Sequence, residues 1–491
     1  MSLSIRKLTA VLLAGGASIV LATAAQAGSR ADSSGTSAQS ASDAKIQQLE
    51  QDIQDLNAQV QDLKRSTADQ YTDVQNQQAK GAKFTIKNGR PTFTDGDFTF
   101  ALRSLVQYDS AYYGEGKLPA GTDFSSGNTF RRARFGFEGT AFSDWSYTFI
   151  YDFGGSGTEG STIASAYIQY NGLGPVHVRV GAFPPPESLD DTTSAGDLLF
   201  LERSQPADVA RSVAGADGRD AASIFYYDDS AFAALSYTGG VVGDAASGFD
   251  DQQAAVGKFA YRFNFGEDEN LVLGADTTYV FKFADAVAGG GTPTALRLRE
   301  RPELNVDSNN TSGIRLIDTG SISADSYWQW GLEAAGNVKN LYAQGGYFGY
   351  EANRHASTLA DPNFDGWYLQ ASWVLTGESK QYRPDIGAYT IPKPKENFSF
   401  DKGGLGAWEI AARYSDLDLN YHAGAPGTAI LPEAIRGGNQ RIWSAGLNWY
   451  PNPVLRFMLD YQHVNVSRLN STGGDLGATL DDVSLRLQVA F

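Results

Sequence analysis

Six arginines recur at regular spacing in two segments that show no other clear pattern. Arg297, Arg299 and Arg301 lie two residues apart, so an extended backbone turns all three guanidinium groups to one face. The other group recurs at intervals of eight residues and consists of Arg203, Arg211 and Arg219. A guanidinium stays charged at any relevant pH and binds phosphate through two parallel hydrogen bonds. The spacing therefore favours contact with anions.

Other kinds of chemistry have little support in the sequence. The absence of cysteine excludes disulfides, cysteine nucleophiles and Cys-ligated metal centres. None of the four histidines lies near a nucleophile signature, so a hydrolase is the least favoured alternative. The net charge of −17 argues against a nucleic-acid partner. We predict a protein that is not an enzyme and uses no metal and no cofactor.

The arginines must be positioned by strands, because apolar and polar residues alternate along most of the chain after Phe84. The last such segment places Val483, Leu485 and Leu487 on one face and Ser484 and Arg486 on the other. In the segments with the clearest alternation, the polar face carries full charges, the apolar face carries none, and many apolar faces begin or end in Tyr or Trp. These features favour an outer-membrane barrel, with the apolar face toward lipid, over a soluble β-sandwich.

The alternation predicts an all-β fold, a transmembrane barrel of sixteen antiparallel strands. We place the strands near 98–111, 129–140, 145–153, 163–170, 176–183, 222–228, 231–237, 255–265, 271–282, 326–336, 340–350, 365–375, 407–420, 440–450, 454–465 and 482–491. Links after even-numbered strands are mostly short, as periplasmic turns are, and links after odd-numbered strands are mostly longer. Three links are too long for turns (184–221, 284–325 and 376–406), and we expect them to fold into the lumen.

The first 80 residues have a different organisation. Residues 1–27 have a basic start, an apolar stretch and an Ala-x-Ala end, which predicts a cleaved signal peptide and export to the outer membrane of a Gram-negative cell. Residues 28–42 are predicted to be a linker. Residues 43–80 contain apolar residues at heptad spacing and predict a short periplasmic coiled coil, with a lone amphipathic helix as the alternative. The barrel domain then covers 84–491.

Several motifs resemble the phosphate-selective porin O and P family. They are Phe130-Arg131-Arg132-Ala133-Arg134-Phe135-Gly136-Phe137-Glu138-Gly139, Glu202-Arg203-Ser204, Gly218-Arg219-Asp220, Leu375-Thr376-Gly377-Glu378, Gly406-Ala407-Trp408-Glu409-Ile410-Ala411-Ala412-Arg413-Tyr414-Ser415 and Gly446-Leu447-Asn448-Trp449-Tyr450-Pro451-Asn452-Pro453. The resemblance covers about 130–491. It implies a sixteen-stranded barrel, a homotrimer in outer-membrane lipid, and passive uptake of small anions such as phosphate or polyphosphate. It also implies that in-folded segments carry arginines toward a basic constriction.

Alternation assigns ten basic and seven acidic residues to the inner wall. They are Arg103, Arg132, Arg134, Arg179, Lys258, Arg262, Lys282, Arg413, Arg456 and Arg486, with Asp109, Glu138, Asp152, Asp276, Glu333, Glu409 and Asp460. The wall is thus more basic than the whole chain, which has 39 basic and 56 acidic residues. Our candidates for the anion pathway are Arg132, Arg134, Arg203, Arg211, Arg219, Arg297, Arg299, Arg301 and Arg413.

Alternatives remain open for the arginines and for the whole protein. Each arginine could instead brace an in-folded segment through a nearby carboxylate, such as Glu187, Asp191, Glu300 or Glu303. The porin could pass other solutes, or none selectively. The coiled coil could also tether the barrel to the cell wall by contact with peptidoglycan.

Overall fold

The computed structural model describes residues 35–155, 162–242, 250–287, 290–306 and 313–491. The chain divides into two compact units, Met1–Lys80 and Gly81–Phe491. Within the described residues, no helix combines the length and the hydropathy that a membrane crossing requires. The predicted signal peptide lies outside these residues, as does the first part of the predicted linker.

The first unit contains one long helix, α1 (Gly35–Lys80). It begins eight residues before the predicted coiled-coil segment, because no proline interrupts residues 35–42 and a helix extends readily once it has formed. Six apolar side chains at heptad spacing are 46–70% exposed along it: Ile46, Leu49, Ile53, Leu56, Val60 and Leu63. A single copy of α1 therefore leaves its apolar seam uncovered.

The second unit is a closed barrel of sixteen antiparallel strands, as predicted. An N-terminal hairpin, β1 (Lys83–Lys87) and β2 (Arg90–Asp95), precedes it and pairs with the first barrel strand. The barrel strands are β3 (Phe98–Glu115), β4 (Gly127–Ala141), β5 (Trp145–Asp152), β6 (Thr162–Leu173), β7 (Val176–Ala182), β8 (Arg219–Tyr227), β9 (Ala231–Val241), β10 (Gln253–Gly266), β11 (Glu269–Lys282), β14 (Ala324–Val338), β15 (Leu341–Arg354), β16 (Asn363–Val374), β19 (Ala407–Tyr421), β20 (Ile435–Tyr450), β21 (Leu455–Ser467) and β22 (Ala478–Ala490). Each strand pairs with the next, and β22 closes the barrel on β3.

The two faces of the barrel wall have the predicted orientation. Phe135 and Leu485 are 52% and 54% exposed on the outside, whereas Asp109 and Arg486 are buried inside. Since a strand turns successive side chains to opposite faces, apolar alternation alone fixes this arrangement.

The two ends of the barrel differ. Links of two to four residues join the strands at one end, which we call the turn end: 142–144, 174–175, 228–230, 267–268, 339–340 and 451–454. In porins the short turns face the periplasm. Most links at the opposite end are longer.

Three long segments fold against the inner wall. The first, residues 183–218, contains α2 (Leu189–Thr192) and α3 (Gln205–Ser212), and the Tyr350 hydroxyl donates to the carbonyl of Pro206 at 2.7 Å. The described parts of the second, 283–287, 290–306 and 313–323, contain β12 (Arg299–Glu300) and β13 (Ile317–Asp318), and Tyr113 donates to the carbonyl of Val306 at 2.7 Å. The third, 375–406, contains β17 (Tyr382–Arg383) and β18 (Ala388–Tyr389) and enters from the turn end.

Candidate functional site

Three cavities lie between the in-folded segments and the inner wall toward the turn end. The largest, the turn-end vestibule, has a volume of about 920 Å³ and is lined by Arg90, Arg103, Glu138, Tyr227 and Arg383, among others. A smaller one, the inner cavity, has a volume of about 210 Å³ and lies between the first and third in-folded segments and strands β4, β6, β7, β8 and β9. The third, of about 240 Å³, lies beside the C-terminus. The three share lining residues and so adjoin one another.

The lining of these cavities is more basic than the protein as a whole. Nine basic side chains contribute to it: Lys87, Arg90, Arg103, Arg134, Arg179, Arg203, Arg211, Arg383 and Arg456. Five acidic side chains contribute: Glu138, Asp191, Asp197, Asp217 and Asp385. The ratio is reversed relative to the whole chain, where acidic residues outnumber basic ones by 56 to 39. An anion in these cavities therefore meets a net positive surface.

Arg132 does not reach the cavities, because it braces the first in-folded segment. Its guanidinium donates to Gln107 Oε1 at 2.9 Å and to Glu202 Oε2 at 3.3 Å. Arg131 also donates to Glu202, at 2.8 and 3.2 Å, and so does Arg486, at 3.1 Å. Burial alone raises the pKa of Glu202, but these three arginines hold that pKa well below its usual range.

Alternation did not predict the inward position of Arg131. A β-bulge pairs Gln107 with Arg132 and Tyr108 with Phe130, which leaves Arg131 as an extra residue in β4. A bulge re-aims the side chains beside it, so two consecutive arginines reach the same carboxylate.

Arg413 braces the second in-folded segment. It is 2% exposed, donates to Glu303 Oε2 at 2.5 Å and to the carbonyl of Glu202 at 3.0 Å, and lies 4.5 Å from the centre of the Phe200 ring. One wall arginine thus joins the first and second segments.

Arg134, Arg203 and Arg211 meet at the inner cavity. Arg134 donates to Asp152 Oδ2 at 2.8 Å and to Asp217, and Arg211 pairs with Asp191. Arg203 donates to three backbone carbonyls at 2.8–3.2 Å, those of Asp190, Asp191 and Thr193.

The charges around Asp217 reinforce one another. Burial alone raises the pKa of Asp217, yet Arg134 and Arg211 bring that pKa below its usual range. Burial alone lowers the pKa of Arg211, while Asp191 and Asp217 raise it above its usual value. Asp217 and Arg211 thus both stay ionised at neutral pH.

Arg219 lies outside the cavities. It is buried where the first segment joins β8, and it donates to the carbonyls of Gly215 and Gly239 at 3.0 Å. Among the candidates of this segment, only Arg203 and Arg211 line the inner cavity.

The three arginines of the second segment differ in exposure. Arg297 and Arg299 are exposed, and Arg297 pairs with Asp318, but Arg301 is only 8% exposed. The two-residue strand β12 ends at Glu300, so Arg301 lies beyond it. Their contact with anions stays a prediction.

Arg179 also lines the inner cavity. Alternation predicted that it lies on the inner wall, but it was not among our candidates for the anion pathway. Its guanidinium carbon lies 4.3 Å from the ring centre of Tyr167, 4.5 Å from that of Phe225 and 5.2 Å from that of Phe183. These rings come from β6, β8 and the first in-folded segment, so no local motif announces the site.

A further group of arginines lies toward the other end of the barrel, around a cavity of about 810 Å³. Arg354 donates to the carbonyl of Glu433 at 2.7 Å, Arg436 to that of Asn470 at 2.6 Å, and Arg468 to that of Asp318 at 3.1 Å. Sequence reasoning missed all three, since each stands alone at a strand end.

A closed sixteen-stranded barrel with an apolar outside, a charged inside and in-folded segments is the architecture of an outer-membrane porin, a class of channel rather than of enzyme. The family model described as phosphate-selective porin O and P matches residues 100–491. The chain belongs to this family.

Two relatives and one solved structure illustrate the similarity. Porin O of Pseudomonas aeruginosa is 26% identical over 419 residues, which cover 81% of this chain and 90% of that protein. An uncharacterized protein of Caulobacter vibrioides is 27% identical over 82% of this chain and 76% of its own length. An anion-selective porin from Comamonas acidovorans aligns in structure with a TM-score of 0.48 and 14% identity, over 80% of this chain and all of that one.

Proposed function

We propose that this porin lets small anions, phosphate or polyphosphate among them, diffuse passively across the outer membrane. The observation that carries the proposal is the lining of the three cavities. It contains nine basic and five acidic side chains, although the chain as a whole is acidic. Fixed positive charge in a narrow pore with low-dielectric walls attracts anions and repels cations.

A reversal-potential measurement tests the proposal. With the full-length protein in a planar bilayer between unequal KCl solutions, we expect chloride to be more permeant than potassium. Replacing Arg103 and Arg383 with Gln should lower that ratio, because both line the turn-end vestibule. Arg441→Gln is the matched control, since Arg441 is exposed on the outer face of β20. A preference for potassium in the unmodified protein would refute anion passage.

The assembly is also part of our proposal. We infer that residues 1–27 are removed on export, that residues 28–42 link to the helix, and that three barrels (84–491) associate in outer-membrane lipid. The uncovered heptad seam of α1, over 43–80, supports contact between helices of neighbouring copies. A second candidate function is a porin that passes other solutes and is tethered to peptidoglycan by the same helix.

A further inference from the structure

Asp217 is shared by two arginines at the inner cavity. Its Oδ2 accepts a hydrogen bond from Nη2 of Arg134, and its Oδ1 lies 3.7 Å from Nη2 of Arg211. All three side chains line the cavity. One carboxylate therefore bridges a guanidinium group of strand β4 and a guanidinium group of helix α3.

Each of these two arginines is also anchored independently of Asp217, through its Nε atom. Nε of Arg134 donates to Asp152 Oδ2 at 2.8 Å, and Asp152 is fixed in turn by two backbone N–H groups, both at 2.9 Å. Nε of Arg211 donates to the carboxylate of Asp191. The anchors orient both guanidinium groups, so their Nη2 atoms would keep facing the same space if the carboxylate of Asp217 left it.

The shared carboxylate differs from the two anchoring carboxylates in exposure. The side chain of Asp217 is 31% exposed, whereas those of Asp152 and Asp191 are 10% and 2% exposed. The two arginines are also less exposed than Asp217, at 18% and 13%. Asp217 is therefore the member of this group that a solute in the cavity can most easily displace.

The carboxylate of Asp217 has the geometry of a bound oxyanion. It places two oxygens of one carbon between guanidinium groups from two different elements, and phosphate also carries several oxygens on one central atom. Guanidinium groups bind phosphate through the same charge-assisted hydrogen bonds by which they bind carboxylates. The lining of the inner cavity contains four arginines and three aspartates, so loss of the charge of Asp217 would change its net charge from 4 − 3 = +1 to 4 − 2 = +2.

We propose that Arg134 and Arg211 form an oxyanion site and that Asp217 is a tethered competitor for it, that is, a carboxylate of the chain that occupies the donors which a permeating phosphate needs. A phosphate ion binds when it displaces Asp217 from the two Nη2 atoms. The competition keeps binding weak, and a channel conducts only when its solute can leave each site again. This inference rests on the proposed anion passage and identifies a residue that sets the affinity of the inner cavity.

Block of the chloride current by orthophosphate measures this competition. With the full-length protein in a planar bilayer in KCl at neutral pH, the phosphate concentration that halves the current is determined for each variant. We expect Asp217→Asn to lower this concentration roughly fivefold or more, because phosphate no longer has to displace a charged competitor. Asp385→Asn removes the same charge from the same lining, but Asp385 pairs with Arg383. It should therefore lower the concentration by about twofold at most.

Two further variants test whether the gain belongs to the proposed site. Adding Arg134→Gln to Asp217→Asn should return the half-blocking concentration at least to that of the unmodified protein, since the site then lacks one of its two guanidinium groups. Asp217→Ala should act like Asp217→Asn, because it also removes the competing carboxylate. Circular dichroism of each purified variant establishes that the barrel has folded.

Two outcomes would overturn the inference and leave anion passage intact. One is an effect of Asp217→Asn that is no larger than that of Asp385→Asn, which would make Asp217 one charge among others in the lining. The other is a gain in phosphate block that persists when Arg134→Gln is added. Preference for potassium over chloride in the unmodified protein, by contrast, would refute anion passage itself and with it this inference.

Discussion

Replacing Glu202 with Gln should loosen the first in-folded segment of the barrel. The Glu202 side chain is 13% exposed and accepts hydrogen bonds from Arg131, Arg132 and Arg486 at 2.8–3.3 Å. Gln keeps the shape and one acceptor but removes the only negative charge shared by the three arginines. The substitution therefore removes the carboxylate that the buried Arg132 contacts, whereas Arg486 keeps its pair with Asp109.

The size of the effect follows from the burial of this cluster. Removing one partner of a buried ion pair typically costs 3–5 kcal/mol. Because Gln still accepts a hydrogen bond, we expect the lower end, about 3 kcal/mol, and hence about a hundredfold more frequent opening of the segment. The barrel itself should remain closed, since its strands pair independently of this side chain.

Hydrogen–deuterium exchange of the purified protein in detergent measures this opening. The reporters are the amides of Leu201 and Gln205, which donate to Asp460 at 2.8 Å and Glu303 at 2.7 Å. Glu267→Gln is the matched control, because Glu267 lies in an exposed turn. If exchange at both reporters stayed within twofold of the unmodified protein, the bracing role of Glu202 would be wrong.

The same carboxylate predicts a pH dependence. The pKa of Glu202 is lower in the folded protein than the ~4.3 of an unperturbed glutamate, so its stabilising effect is complete above about pH 5 and is lost as the pH falls through the lowered pKa. Exchange across the first in-folded segment should therefore show a rise in strongly acidic buffer that the Glu202→Gln variant lacks.

Two further predictions concern the inner cavity and the helix. Asp217→Asn removes a negative charge from the lining of the inner cavity and should raise the chloride-to-potassium permeability ratio; an unchanged or lower ratio in a folded variant would contradict the field argument. Replacing Ile53 and Leu56 with Asn should lower the temperature at which oligomers dissociate on a semi-native gel. Gln54→Ser, which lies outside the heptad seam, should leave that temperature unchanged. Equal dissociation temperatures for the two variants would show that α1 does not contribute to assembly.

The sixteen strands were predictable because each is encoded locally. Alternation over as few as seven residues, as in β7, specifies one apolar and one charged face. The order of short and long links indicates which end of the barrel carries the short periplasmic turns. The segments with weak alternation also form strands, β6, β8 and β9, because each strand of a closed barrel pairs with a neighbour on both sides. The bulge that turns Arg131 inward escaped this reasoning, because one inserted residue leaves no mark in the residue types.

The candidate site was only partly predictable. Spacing singled out Arg203 and Arg211, which line the inner cavity, but it gave no indication that Arg301 is buried while Arg297 and Arg299 are exposed. Alternation placed Arg179 on the inner wall but did not single it out, because its aromatic neighbours lie on three separate elements.

By itself, the sequence determined that this chain forms a barrel, which faces of its strands meet lipid, and that the inside carries more basic charge than the whole. Only the tertiary structure decided which arginines brace segments and which face a cavity. The reason is that an inward arginine pairs with whichever carboxylate the in-folded segments bring to it, and those contacts join residues as far apart as Asp109 and Arg486. Local pattern fixes the direction of a side chain, whereas its partner depends on how distant segments pack.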